Sequence, residues 1–236
     1  MSATSAVPPS HLRRVVQQST PMIIAAQVRE AIAQGHFPPG AQMYETQLAE
    51  QLGVSRGPLR EGLQRLTQEG LLVAVRHRGL FVVELTPENV RDMYLAREAI
   101  ERCAVAVVVR DSPMATADAL DVVLAQMEAA AEVGDSQEVG ESDIRFHEVL
   151  VARSGSERLG RLHGTQLVEA RICVHALGSS YENDRHRVAE HRAIAEAIRS
   201  ADAALADQRL RQHMVDAVQE LMVHAPGGAE STPRSG

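Results

Sequence analysis

Apolar residues recur at helical spacing from Thr20 onward: Ile23, Ile24, Ala26, Val28, Ala31 and Ile32 form one stripe. It stops at Gly35, and His36-Phe37-Pro38-Pro39-Gly40 follows as a turn. A shorter helical pattern runs from about Glu45 to Leu52, Gly53-Val54 breaks it, and Ser55 opens a third that ends near Gly70. The period then changes. Leu72–Val75 and Leu80–Val83 read as two short strands around Arg76-His77-Arg78-Gly79, a hairpin. Thr86-Pro87 restarts a helix, with Thr at the N-cap and Pro at the first helical position. Beyond it every long segment is amphipathic at helical period, near residues 87–110, 115–133, 136–152, 157–177, 185–199 and 202–224. The breaks between them are short: Asp111-Ser112-Pro113, Gly134-Asp135, Ser154-Gly155, Gly178-Ser179-Ser180 and Ser200-Ala201-Asp202.

The pattern predicts a mainly α chain in two parts. Residues 20–85 form a winged helix-turn-helix of three helices plus a small β-hairpin. Residues 86–224 form an antiparallel all-α bundle of six to seven helices, because short connections force neighbouring helices to run antiparallel. The Pro-, Gly-, Ser- and Ala-rich ends, 1–19 and 225–236, are expected to be disordered tails.

Composition narrows this. Hydrophobic residues make up 44% but aromatics only 3%, with no Trp, so the cores are built from Ala, Val, Leu, Ile and Met, which suits close-packed helices. The net charge of −7 is unevenly spread: residues 1–85 carry 8 Arg against 6 acids, the remainder 16 Arg against 25. A slightly basic module joined to an acidic one is compatible with DNA binding, since only the docking face must be positive. Two cysteines, Cys103 and Cys173, make no disulfide scaffold and point to a reducing cytoplasm. No apolar run approaches the length of a membrane span or a secretory leader.

The stretch Leu48-Ala49-Glu50-Gln51-Leu52-Gly53-Val54-Ser55 carries the helix-turn-helix signal: a small residue where helices cross, a Gly at the turn, and a Ser to cap the second helix. In this motif the N-terminal end of the second helix enters the major groove. Arg56 and Arg60 share one face near that end and reach guanine edges or phosphates, while Gly57 keeps the helix start slim. Arg76, His77, Arg78 and Gly79 lie at the wing tip, suited to phosphates or the minor groove.

In the bundle, Asp143 and His147 sit four residues apart on an apolar helix face. His191 and His213 lie on the apolar faces of two further helices. Buried polar groups need compensation, and a divalent cation supplies it. One carboxylate and three imidazoles make a plausible first shell for Zn²⁺, Ni²⁺ or Mn²⁺. His191 stands nine residues before the turn at Ser200, and His213 eleven after Asp202. At ~1.5 Å per residue an antiparallel pair brings both imidazoles to nearly one level. His163, His175, His186 and His224 lack such a combination and are expected at the surface or a boundary. Arg97 occupies the apolar face of the first bundle helix and needs an anion, either Glu101 or the carboxylate of a bound effector. Arg171 is a weaker candidate for the same role.

These motifs resemble the GntR family. Pro38-Pro39-Gly40, Leu48 to Arg56, Pro58-Leu59-Arg60-Glu61, Leu66, Glu69-Gly70-Leu71, Arg78-Gly79 and Phe81-Val82 follow its winged-helix pattern over about 60 residues. One departure is Thr46, where the family usually has Arg. By the resemblance, DNA recognition falls on Ser55, Arg56 and Arg60, with wing contacts over Arg76–Gly79. The bundle is similar to the FCD domain of the FadR subfamily, whose metal pattern matches Asp143, Phe146-His147, Glu190-His191, Ile194 and His213. The resemblance implies a homodimer formed through the bundle and a small carboxylate effector near the metal.

The expected function is a cytoplasmic, ligand-responsive DNA-binding regulator, a repressor rather than an enzyme, acting on palindromic operator DNA. The metal itself as effector, or a metal-dependent hydrolase carrying a DNA-binding module, are the alternatives.

Overall fold

The computed structural model describes residues 19–177 and 184–224. The terminal segments expected to be tails, apart from Ser19, and the break at Gly178-Ser179-Ser180 lie outside the described residues. Chain order is α1 (Thr20–Ala33), β1 (Gln42–Met43), α2 (Glu45–Leu52), α3 (Arg56–Gln68), β2 (Leu72–Val75) and β3 (Gly79–Val82). The bundle follows as α4 (Pro87–Asp111), α5 (Pro113–Val133), α6 (Ser136–Arg153), α7 (Glu157–Leu177), α8 (Asp184–Arg199) and α9 (Ala203–His224).

Local chemistry sets the boundaries. Thr86 caps α4 by accepting from the Asn89 N–H at 3.2 Å, with Pro87 as the first helical residue. Asp135 caps α6 through the Glu138 N–H at 3.0 Å. Gly53, at φ 63, ends α2 in the left-handed region and turns the chain into α3. Ser55 departs from expectation. It holds the N-cap position of α3 in an extended conformation, but its hydroxyl makes no capping bond. Pro58 occupies the third helical position, whose N–H a Ser cap ordinarily engages, and Pro has none.

The sheet has one strand more than the hydrophobic pattern revealed. Its order is β1-β3-β2, all antiparallel, with Gln42 opposite Phe81 and Val75 opposite Gly79. A two-residue strand shows no alternation, so β1 leaves no periodic signal.

Two hydrophobic clusters organise the chain. One joins Ile24, Val28 and Ile32 of α1 to Leu48 of α2, Leu59, Leu63 and Leu66 of α3, and Leu72 and Val82 of the sheet. Helices α1 and α3 cross so closely that a Cβ at Gly62 would lie 2.9 Å from Ile24 Cγ2 and 3.0 Å from the Pro21 carbonyl oxygen. The other cluster fills the bundle, with Phe146, Leu120, Met127, Ile144, Leu150, Ile194, Ile198 and Leu210 among its buried side chains. Helix α7 belongs to both. Its Leu167, Ala170 and Cys173 face the bundle, whereas Val168 and Ile172 pack into the first cluster, against which α7 meets α1.

Candidate metal centre and DNA-reading surface

At the reading surface, α3 begins at Arg56, and Arg56, Gly57 and Arg60 are all exposed. Nothing lies within 4 Å of where a Gly57 side chain would begin. Arg60 is not idle: its Nε lies 2.6 Å from Glu45 Oε2 at the start of α2. The hairpin places Arg76, His77 and Arg78 at an exposed tip, with His77 in the left-handed region at φ 61. The Arg78 N–H donates to the Val75 carbonyl, the Gln42 side chain donates to the Arg78 carbonyl, and the Arg78 guanidinium lies over Phe81. Gly79, at φ 110, is where a Cβ would come within 3.1 Å of Gln42 Nε2. That left-handed backbone angle is what favours glycine there.

Within the bundle, Asp143 and His147 of α6, His191 of α8 and His213 of α9 meet. One ligand atom from each lies within 4.8 Å of all the others. His147 Nε2 is 3.1 Å from His213 Nε2 and 3.2 Å from His191 Nε2. Asp143 Oδ1 is 3.5 Å from His147 Nε2 and 3.7 Å from His191 Nε2. Ligands at the usual ~2.0–2.2 Å from a tetrahedral metal stand about 3.3–3.6 Å apart, so these four edges are close to those of a coordination polyhedron.

The outer ring nitrogens decide the chemistry. His147 Nδ1 faces Glu101 Oε2 at 2.6 Å, His191 Nδ1 faces the Arg187 carbonyl at 2.8 Å, and His213 Nδ1 faces Glu190 Oε2 at 3.4 Å. An acceptor opposite each Nδ1 draws the ring hydrogen there, because a neutral imidazole carries only one. All three Nε2 atoms therefore turn lone pairs toward one point, next to a carboxylate. Neutral rings in this tautomer have no hydrogen to place between those nitrogens. One carboxylate and three imidazoles so turned are a donor set that could hold a divalent cation, and acceptors at the outer nitrogens are of the kind that orient metal-bound histidines. Electrostatics agree: burial first, then Arg97, pull the His147 imidazole down to about 3. Burial and the neighbouring His191 lower that of His213. Burial opposes the charge on Asp143, but His191, His147 and His213 together hold its carboxyl well below the usual range.

Arg97 and Glu101 of α4 lie beneath this cluster, 1% and 0% exposed. Arg97 Nε donates to Glu101 Oε1 at 2.6 Å, while Arg97 Nη2 is buried without a hydrogen-bond partner, 4.0 Å from Asp143 Oδ1. Of the two anions that the sequence offered Arg97, Glu101 takes Nε, and Nη2 is turned toward Asp143 without a hydrogen bond. Arg187, also buried, sits 3.8 Å from Asp143 Oδ2 and 3.7 Å from Glu220 Oε2. Arg171 pairs instead with Glu141 at 3.1 Å, away from this group.

His163 corrects an expectation. It is not a surface or boundary residue but 2% exposed, with Nε2 2.9 Å from Glu101 Oε1. The signal was present, since Leu167 and Ala170, four and seven residues on, are buried on the same face of α7. His186 is exposed as expected, near Glu190. The side chains of His175 and His224 lie outside the described residues.

Comparison with known proteins places both halves. The model of the bacterial regulatory proteins of the gntR family matches residues 23–82, and that of the FCD domain matches residues 92–216. The HTH-type transcriptional regulator YdhC of Bacillus subtilis is 32% identical over 79% of this chain and 84% of its own length. The gluconate operon transcriptional repressor of the same organism is 25% identical over 84% of this chain and 83% of its own. Among solved structures, a GntR transcriptional regulator from Rhodococcus sp. RHA1 superposes with a TM-score of 0.74 at 26% identity, covering 88% of this chain and all of that one.

Proposed function

Because the chain belongs to the GntR family of bacterial transcriptional regulators, with an FCD domain behind its helix-turn-helix, we propose that it is a metal-dependent repressor released or engaged by a small carboxylate. Its relatives are transcriptional regulators, not enzymes, which removes the hydrolase alternative. In this reading residues 20–85 are the DNA reader and 86–224 the sensor. Asp143, His147, His191 and His213 hold one divalent cation such as Zn²⁺, Ni²⁺ or Mn²⁺. The protein acts in the cytoplasm as a homodimer whose two α3 helices address related half-sites of a palindromic operator. Ser55, Arg56, Gly57 and Arg60 meet the major groove, and Arg76, His77, Arg78 and Gly79 the flanking backbone. Arg60 must first leave Glu45, an exposed pair worth at most about 1 kcal/mol.

The observation that carries the effector reading is the unsatisfied Arg97 Nη2 on the Asp143 side of the cluster. A buried guanidinium nitrogen with no hydrogen-bond partner is costly, and a carboxylate between it and the cation would satisfy both. This favours an organic acid over the metal alone as effector. A cation that accepts five or six ligands retains one or two positions for such a group.

The test uses an operator fragment selected by the purified protein from genomic DNA, titrated in the presence of Zn²⁺ with a panel of small mono-, di- and hydroxycarboxylates. At least one should change operator affinity about 5- to 150-fold, the usual span of allosteric coupling, and should lose that effect in His147→Ala. A response to Zn²⁺ with none to any carboxylate would make the metal the effector; a carboxylate response that persists in His147→Ala would remove the cluster from the mechanism.

A further inference from the structure

Glu101 is the point where three helices meet, and its three partners have different allegiances. Its Oε2 accepts from Nδ1 of His147, a member of the metal cluster on α6. Its Oε1 accepts from Arg97 Nε on α4, at 2.6 Å, and from His163 Nε2 on α7, at 2.9 Å. All four side chains are buried. Burial opposes the charge on Glu101, but His147 and Arg97, with hydrogen bonds from His147 and His163, hold its carboxyl well below the usual range.

Beyond His163, helix α7 also packs on the DNA-binding half. Val168 lies five residues on, ~7.5 Å along the axis, and Ile172 nine residues on, ~13.5 Å. Both are buried in the cluster formed by α1, α2, α3 and the sheet. Between them, Glu169 Oε1 lies 3.7 Å from where a side chain at Gly70 would begin, two residues past the end of α3. The helix that hydrogen-bonds Glu101 therefore also packs on α1 and comes close to the turn that follows α3.

We propose that His163 couples the metal centre to the DNA-binding half, by tying the Glu101 carboxylate shared by His147 and Arg97 to the helix that buries Val168 and Ile172 in the cluster of α1, α2, α3 and the sheet. This rests on the metal-centre reading above. A cation on His147 Nε2 draws electron density from the ring, makes its Nδ1–H a stronger donor, and fixes Glu101 more firmly. A fixed Glu101 fixes His163, and a helix anchored at one end cannot shift freely in the interface it forms five to nine residues later. His163 touches no ligand of the cluster itself. It is a positioning residue acting through Glu101, and its effect is on coupling rather than on metal affinity.

The test compares hydrogen exchange of the full chain with and without Zn²⁺, in wild type, His163→Leu and His163→Gln, with metal stoichiometry measured on each. In wild type, Zn²⁺ should slow exchange in α6, α8 and α9, and also, about fivefold or more, in α1 and the C-terminal turn of α3. His163→Leu fills the space without a donor: it should bind one Zn²⁺ and keep protection in α6, α8 and α9 while losing the response in α1 and α3. His163→Gln restores a donor toward Glu101 and should recover that response. A full α1 and α3 response in His163→Leu overturns the coupling and leaves the metal centre intact, as does a response absent from both variants, since a lost packing contact then explains it. Wild type that takes up no Zn²⁺ overturns the metal-centre reading and this inference with it.

Discussion

Hydrogen placement is what turns four polar residues into a site. Histidines 147, 191 and 213 each have an acceptor at Nδ1, so each aims a lone pair inward, and the carboxylate of Glu101 fixes the shortest of those contacts. Replacing it by the isosteric amide in Glu101→Gln should lower Zn²⁺ affinity about 10- to 100-fold, the usual cost of losing an outer partner of a metal-bound histidine. A competition titration against a chelator of known affinity reads this directly, and an unchanged affinity would mean that the outer shell does not orient His147. The four inner residues were legible in the sequence because each is polar on an otherwise apolar helix face. Glu101 was legible only as a neighbour of Arg97. Its bonds to His147 and His163 cross from α4 to α6 and α7, and no helical period encodes a contact between helices. His163 obeyed the same face rule as those four but belonged neither to the Asp143–His147 pair nor to the level-matched pair His191–His213.

At the level of elements, all nine described helices follow the apolar periodicity, and the hairpin follows its turn chemistry. The short strand β1 and the unused cap at Ser55 do not, the first because two residues carry no period and the second because Pro58 removes the donor. Gly62 was equally silent: inside a helix it looks like a weak helix former, and only the crossing of α1 shows that any larger residue strikes Ile24 and the Pro21 carbonyl. The interface of α7 with the DNA-binding half carries its own pH dependence. Burial, aided by repulsion from Asp92, pushes the Glu169 carboxyl from 4.5 up to about 7. Between those values the folded chain binds the proton that the unfolded chain has lost, so this group's contribution falls as pH rises from 4.5 through 7. Glu169→Gln, which mimics the protonated form, should therefore raise the thermal midpoint relative to wild type at pH 8 and leave it nearly unchanged at pH 4.5. An equal effect at both pH values would show that Glu169 does not titrate in the interface.

Across the whole molecule, charge is unevenly divided: residues 1–85 sum to +2 and the remainder to −9. Among the described residues no helix is long and apolar enough to cross a membrane. Arg56, Arg60, Arg76 and Arg78, exposed at the start of α3 and at the hairpin tip, are the cations proposed to meet DNA. A dimer of such chains should protect two inversely related half-sites. Arg56→Ala should weaken binding by about 1–3 kcal/mol and relax base preference in both half-sites alike. Footprinting that shows one protected half-site at saturation would contradict the symmetric arrangement. The change of period near residue 85 pointed to two hydrophobic cores, but the burial of α7 in both was not readable, because Val168 and Ile172 look like ordinary bundle residues in the sequence.

The claim on which effector sensing and coupling both depend is that Asp143, His147, His191 and His213 hold a metal. Elemental analysis of the full chain, exposed to equimolar Zn²⁺ and then passed through a desalting column, tests it with no need to know the operator or the effector. One metal per chain in wild type, with a clear loss in His147→Ala and again in His213→Ala, is the predicted result. Full stoichiometric metal in both variants, or none in wild type, would contradict it.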